Sequence, residues 1–138
     1  MAAASTSTRS LQGMRILAVE DSPDLRDMLT TLLEQQGAQV VGCESARQAF
    51  DMLVSGESFH AAVFDISMPG EDGLTLVCRL RHWEAAQCPT RLPVIALTAH
   101  VAHDIEHQCE KAGFDQYLAK PVSPNLLFST LRRLTSVH

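Results

Sequence analysis

The stretch AAVFDISMPGEDG, residues 61–73, runs from four apolar residues, Ala61 to Phe64, straight into a carboxylate, Asp65, and on into a Met-Pro-Gly turn. A short apolar run bounded by turn residues is the pattern of a buried strand. A carboxylate that closes such a strand either caps the following turn or is a reactive group. The choice depends on what the rest of the chain brings to the same place.

Working outward, MRILAVE (14–20) is a second apolar run rich in branched residues, hence a buried strand. Ser22-Pro23 then reads as a helix cap with proline in the first turn. Leu25, Met28, Leu29, Leu32 and Leu33 follow at helical spacing, and Gly37 ends the helix. AQVVGC (38–43) is a strand, and Ser45 with Gln48 is a capping-box pattern that opens a helix through Val54. After Asp65, a helix is predicted from Gly73 to about Trp83, with Leu74, Val77 and Leu80 as an apolar stripe and Arg81 as a charge beside it. LPVIALT (92–98) is a strand, 101–112 a helix stopped by Gly113, DQYLAK (115–120) a strand, and Ser123-Pro124 caps a last helix to about Leu134. Strand and helix thus alternate five times. Continuous apolar strands between helices predict a parallel sheet covered on both faces, with right-handed crossovers. Of the doubly wound orders, five strands suit the flavodoxin-like 2-1-3-4-5.

A chain of 138 residues suits one domain around one core, and 46% hydrophobic with 20% charged residues is ordinary globular composition. The net charge of −5 disfavours nonspecific binding to nucleic acid or anionic lipid. No apolar run approaches the roughly 20 residues that span a bilayer. The start, MAAASTSTRS, lacks the apolar segment of a signal peptide. Residues 1–13 therefore read as a flexible tail or linker and 14–138 as the domain. Cys43, Cys78, Cys88 and Cys109 form no CxxC pair and match no zinc spacing, which suits reduced thiols in the cytoplasm.

In the order 2-1-3-4-5, strands 1, 3, 4 and 5 are consecutive neighbours about 4.8 Å apart. Their carboxyl ends carry Glu20-Asp21, Asp65, Thr98 and Lys120, in the crevice where open α/β sheets bind ligands. Three carboxylates there repel one another, at about 4 kcal/mol per close pair for an effective dielectric near 20. Lys120 offsets one charge, and a hard divalent cation on oxygen ligands, Mg2+, suits the remainder. A metal, an ammonium and a hydroxyl around a free carboxylate are what phosphoryl transfer to that carboxylate requires. Asp65 is on this reading a nucleophile rather than a turn cap.

The pieces VED (19–21), FDISMPGEDG (64–73), PVIALTA (93–99) and YLAKP (117–121) resemble, taken together, the receiver domains of two-component response regulators. The likeness covers about residues 14–135. It implies that Asp65 is the phosphoacceptor and that Asp21 and Asp65 bind Mg2+ directly, with Glu20 acting mainly through a bound water. It further implies that the Ser67 carbonyl completes the protein ligands and Lys120 pairs with the phosphoryl group. Thr98 and Tyr117 would form a switch pair, and Pro121 would occupy a cis-proline position that places Lys120. Glu20 departs from the commoner aspartate by one methylene. ALTAHV and DQYLAKPV are more similar to receivers attached to hybrid sensor kinases than to those of DNA-binding regulators. The implied partner is a histidine kinase or histidine phosphotransfer protein as phosphodonor. The downstream partner is unspecified, no nucleic-acid or membrane contact is implied, and weak homodimerisation is compatible with the pattern.

On this reading the chain is a signalling domain rather than an enzyme, either standing alone or as a piece of a hybrid kinase. Three other functions fit the residues less well. A haloacid-dehalogenase-type phosphatase needs a second Asp two residues after the first, where Ser67 stands. A flavodoxin would place its flavin phosphate against Glu20-Asp21, the wrong charge. A receiver-like scaffold working without phosphorylation usually lacks acceptor, metal or lysine positions, and all are present. His100, His103 and His107 share one helical face and read as solvated, and Trp83 reads as packing at a helix end. Ser67 and His100, each two residues beyond a site residue, stand where hydrolytic water would approach.

Overall fold

Each apolar run becomes a parallel strand in the computed structural model of the chain, which describes residues 10–66, 73–87, 90–99 and 103–135. The strands are β1 (Arg15–Val19), β2 (Gln39–Cys43), β3 (Ala61–Asp65), β4 (Val94–Thr98) and β5 (Gln116–Ala119). The helices are α1 (Pro23–Gln35), α2 (Ala46–Val54), α3 (Gly73–Gln87), α4 (His103–Ala112) and α5 (Pro124–Thr135). The sheet order is β2-β1-β3-β4-β5, all parallel, as the alternation of elements predicts.

Side chains alternate across the pleat, so every central strand feeds two cores. Leu17, Val19, Ala62, Phe64, Val94 and Ala96 pack beneath α2, α3 and α4. Ile16, Ala18, Ala61, Val63, Ile95 and Leu97 pack beneath α1 and α5. Phe64, fully buried, meets Phe114 edge to face at 5.9 Å between ring centres. Burying such a ring contributes about 2 kcal/mol, and here it anchors the residue just before Asp65.

The boundaries differ from expectation where side chains compete with the ladder. Strand β4 starts at Val94 rather than Leu92, because the Leu92 amide donates to Glu84 Oε2 at 2.8 Å and Pro93 has no N–H. Helix α3 continues to Gln87, beyond Trp83, where Glu84 pairs with Arg81 at 2.8 Å one turn back. At the start of β2, the Ala38 amide still closes α1 through the Leu33 carbonyl. Ser10 to Gly13 also precede the expected start at Met14 yet belong to the packed body: Leu11 is buried and its amide donates to the Gln36 carbonyl at 2.9 Å. Residues 1–9, most of the expected tail, and 101–102 at the expected start of the fourth helix lie outside the described residues. No helix among the described residues is long and apolar enough to cross a membrane.

Candidate functional site

Register decides what meets at the carboxyl edge. Val19 pairs with Phe64 across β1 and β3, so the next residues, Glu20 and Asp65, stand side by side. Asp65 pairs with Leu97, and Thr98 with Ala119, so Thr98 and Lys120 stand at the same edge. One carboxylate oxygen each from Glu20, Asp21 and Asp65 lies within 4.8 Å of the others. Glu20 is 3% exposed and Asp65 2%, unusual burial for acids.

A single ammonium serves both buried acids. Lys120 Nζ donates to Glu20 Oε1 at 3.2 Å and pairs with Asp65 Oδ2 at 3.1 Å. Burial raises the pKa of Glu20 above the usual carboxylate range, and the charge and hydrogen bond of Asp65 raise it further, against the pull of Lys120 and the Ser22 amide. Burial alone would lower the pKa of Lys120. The hydrogen bonds and charges of Asp65 and Glu20 override it and hold the ammonium above its ordinary value. The cluster therefore stays short of positive charge. Three hard oxygen donors with excess negative charge fit a small divalent cation of the Mg2+ type.

Lys120 is held by its main chain as well as by its partners. Its amide donates to the Thr98 carbonyl at 2.7 Å, and the Lys120–Pro121 bond is cis. Thr98 is fully buried at the end of β4. Tyr117 is half-buried on the α4 side of β5, where burial and then the Glu106 carboxylate, hydrogen-bonded to its hydroxyl, raise its pKa. The structure thus brings together Glu20, Asp21, Asp65, Lys120 and Thr98 at one edge, with Tyr117 two positions back along β5 from Ala119. Ser67 and His100 lie outside the described residues, as does the side chain of His103, while His107 is exposed. Trp83 is half-buried at the edge of the core. Cys43, Cys78 and Cys109 are free thiols, and Cys88 lies outside the described residues.

Three contributions to the site have no signature in the sequence, although Ser22 and Gly73 read there as a helix cap and a helix entry. The Ser22 amide donates to Glu20 Oε2 at 3.3 Å, so the residue that caps α1 also steadies an acid. Arg26 Nη1 donates to the Glu20 carbonyl at 2.8 Å. Gly73 opens α3 hard against β3: a Cβ there would lie 2.8 Å from the Asp65 carbonyl oxygen and 2.9 Å from Ile66 Cα. No spacing rule exposes these, because each depends on how a helix start sits against a neighbouring strand end.

The response regulator receiver domain family matches residues 16–132, and the chain belongs to that family. It is 35% identical over 128 residues to the sensor protein GacS of Pseudomonas syringae pv. syringae, a match covering 93% of this chain and 14% of that protein. The chain thus spans about one seventh of the length of that curated relative. Among solved structures, it is similar to the receiver domain of the sensor histidine kinase PA1611 from Pseudomonas aeruginosa PAO1, which has a magnesium ion coordinated in its active site cleft. That match has a TM-score of 0.78 and 29% identity, covering 89% of this chain and 98% of that one. The receiver domain of the Arabidopsis thaliana histidine kinase CKI1, complexed with Mg2+ and BeF3−, gives a TM-score of 0.83 at 26% identity, covering 95% of this chain and 96% of that one.

Proposed function

We propose that this receiver domain takes a phosphoryl group from a phosphohistidine onto Asp65. The observation that carries the reading is the lone ammonium of Lys120 shared between two buried acids within a three-carboxylate cluster. An Asp65 carboxylate oxygen attacks phosphorus, the P–N bond to the donor imidazole breaks, and its electron pair returns to the ring nitrogen. Lys120 is placed to balance charge on the phosphoryl oxygens, and the Thr98 hydroxyl to hydrogen-bond one of them. Glu20, Asp21 and Asp65, with the Ser67 carbonyl that the family pattern adds, would hold Mg2+. When bound, the ion supplies charge neutralisation for the phosphoryl oxygens.

The donor would be a histidine kinase or a histidine phosphotransfer protein. An apolar groove of about 270 Å³ adjoins the site, with Glu20 and Lys120 in its wall and Leu25 and Met28, 41% and 51% exposed, on its rim. Its continuity with the acceptor suits a helix of the donor that presents the phosphohistidine. Reorientation of Thr98 toward the phosphoryl group, with Tyr117 following, would change the face formed by α4, β5 and α5. The free thiols suit a cytoplasmic location. With acetyl phosphate and Mg2+, the chain should incorporate acid-labile phosphate and Asp65→Asn should not. Equal labelling of the two proteins would remove Asp65 from the reaction.

A further inference from the structure

We infer that Arg26 is a positioning residue for the metal-binding acids, and that Gly42 on the edge strand exists in order to seat it. The inference rests on the Mg2+ site proposed above. Glu20 is the first residue beyond β1, and its main chain is fixed from two sides. Its amide donates to the Cys43 carbonyl at the end of β2 at 3.0 Å, and its carbonyl accepts from Arg26 Nη1 at 2.8 Å. The second bond acts on the peptide that joins Glu20 to Asp21, two residues whose side chains both belong to the acidic cluster.

Arg26 reaches that carbonyl by crossing the end of β2. A Cβ at Gly42 would lie 3.3 Å from Arg26 Cδ, tighter than most such contacts, and 3.4 Å from Cγ, in ordinary contact, so the arginine stem would have to give by a few tenths of an ångström. The bare glycine is thus the floor on which the arginine stem lies. Gly42 is exposed on an edge strand, where β-branched residues are ordinarily favoured. Its place there answers to the arginine rather than to the sheet. The charge of Arg26 is directed at the Glu20 carbonyl and at Cys43, whose thiol it pulls down against the burial that pushes it up to about 11.

Two effects of removing Arg26 have opposite signs, which makes the inference testable. As a cation at the Glu20 main chain, Arg26 repels a second cation brought to that site, so a purely electrostatic role predicts tighter binding in its absence. As a clamp it favours binding, and loss of an outer partner of a metal ligand typically costs about tenfold in affinity. Mg2+ titration by calorimetry on the 138-residue chain, at fixed ionic strength and beside thermal melts, separates them. Arg26→Ala should weaken binding about tenfold. Gly42→Val, which lifts the stem, should weaken it in the same direction. The double variant should be no weaker than Arg26→Ala, because the valine then has no arginine to displace. Arg26→Gln, which keeps an N–H donor without the charge, should bind between wild type and Arg26→Ala, and it serves if the alanine variant does not fold. A dissociation constant unchanged or tightened in Arg26→Ala and Arg26→Gln, with any loss confined to melting temperature, would overturn the inference while leaving the metal site in place. Absence of Mg2+ binding by the wild-type chain would overturn both.

Discussion

Two clusters of charge sit at opposite ends of the same sheet, and their accounts differ. At the amino ends of β4 and β5, Arg81 and Arg91 face Glu84 and Asp115, two cations for two anions. Arg81 donates to Glu84 at 2.8 Å, to Asp115 at 3.0 Å, and to the carbonyls of Gly113 at 2.9 Å and Leu92 at 2.8 Å. Asp115 Oδ2 and Glu84 Oε2 accept the amides of Val94 and Leu92, each at 2.8 Å. The charge balances within the chain, and every partner named belongs to α3, β4, β5 or the turns between them. At the carboxyl ends, three carboxylates stand together and the Lys120 ammonium pairs with two of them, Glu20 and Asp65. Buried charge that balances internally stitches a fold together, whereas buried charge left in excess has to be completed from outside. On the function proposed above, the second condition marks the functional end of this molecule.

The comparison breaks most readily at Arg81, where the largest effect is expected. Arg81→Leu leaves Glu84 and Asp115 without their shared cation and removes a donor from the Leu92 carbonyl, while Arg91 still reaches the Gly113 carbonyl at 3.1 Å, a loss of about 3 kcal/mol by analogy with other broken buried pairs. Urea unfolding should show it, while Mg2+ affinity of the folded protein should stay unchanged. A loss below about 1 kcal/mol would mean that Arg91 alone sustains the cluster.

Gly73→Ala probes the functional end by geometry instead of charge. Its Cβ would press on the Asp65 carbonyl and Ile66 Cα, both main chain, so the end of β3 or the start of α3 must move. Overpacking of this kind costs about 2 kcal/mol. Displacing the acceptor should slow phosphorylation by a larger factor than the stability loss accounts for, since small misplacements at a reacting centre can cost about a hundredfold. A normal labelling rate in a destabilised variant would show that Gly73 serves packing alone.

Asp65→Asn should reverse the sign. With metal chelated, the substitution relieves repulsion with Glu20 and Asp21 and gives up part of the Lys120 pairing, for a net gain of about 1 kcal/mol. Removing one acid at the balanced end, by Asp115→Asn, should instead lose stability. Urea midpoints in chelator compare the two, and a loss in both variants would dissolve the distinction between the ends.

The two ends were also unequally legible in the sequence. Glu20, Asp21, Asp65, Thr98 and Lys120 could be found because each stands at a strand's carboxyl end, and a parallel sheet gathers such ends by topology alone. The strand order followed from the same alternation. Arg81 showed only as a charge beside the α3 stripe. Its role depends on where the turns before β4 and β5 aim the Leu92 and Gly113 carbonyls, which periodicity does not encode. The same holds for Glu84, a solvent-type residue by composition that is 7% exposed because its partners are near. Leu11 was hidden differently: one leucine in a polar stretch carries no period, and it is buried because the Ser10–Gly13 turn closes over the end of α1.

The smallest of the four effects concerns protons at the functional end. Burial first, and then the charge of Asp65, raise the pKa of Glu20 above its ordinary 4.5. Between the ordinary value and the raised one, the folded state holds a proton that the unfolded state has released. The metal-free domain must therefore lose stability as pH rises through that window and level off above it. Lys120, whose pKa is also raised, stabilises throughout that range and loses its contribution only as pH climbs past 10.5, so it does not disguise the effect. Carboxylates away from the cluster titrate alike in wild type and in Glu20→Gln and cancel in the difference, which reports Glu20 together with the groups it touches. Urea midpoints measured in chelator from pH 4 to pH 8 should show the glutamine variant gaining on wild type as pH rises past 4.5, then running parallel once Glu20 has ionised in the folded state. Curves parallel over the whole range would mean that Lys120 and the Ser22 amide fully offset the burial of Glu20. The functional end would then be balanced like the structural one, and the contrast between them would fail at its most sensitive residue.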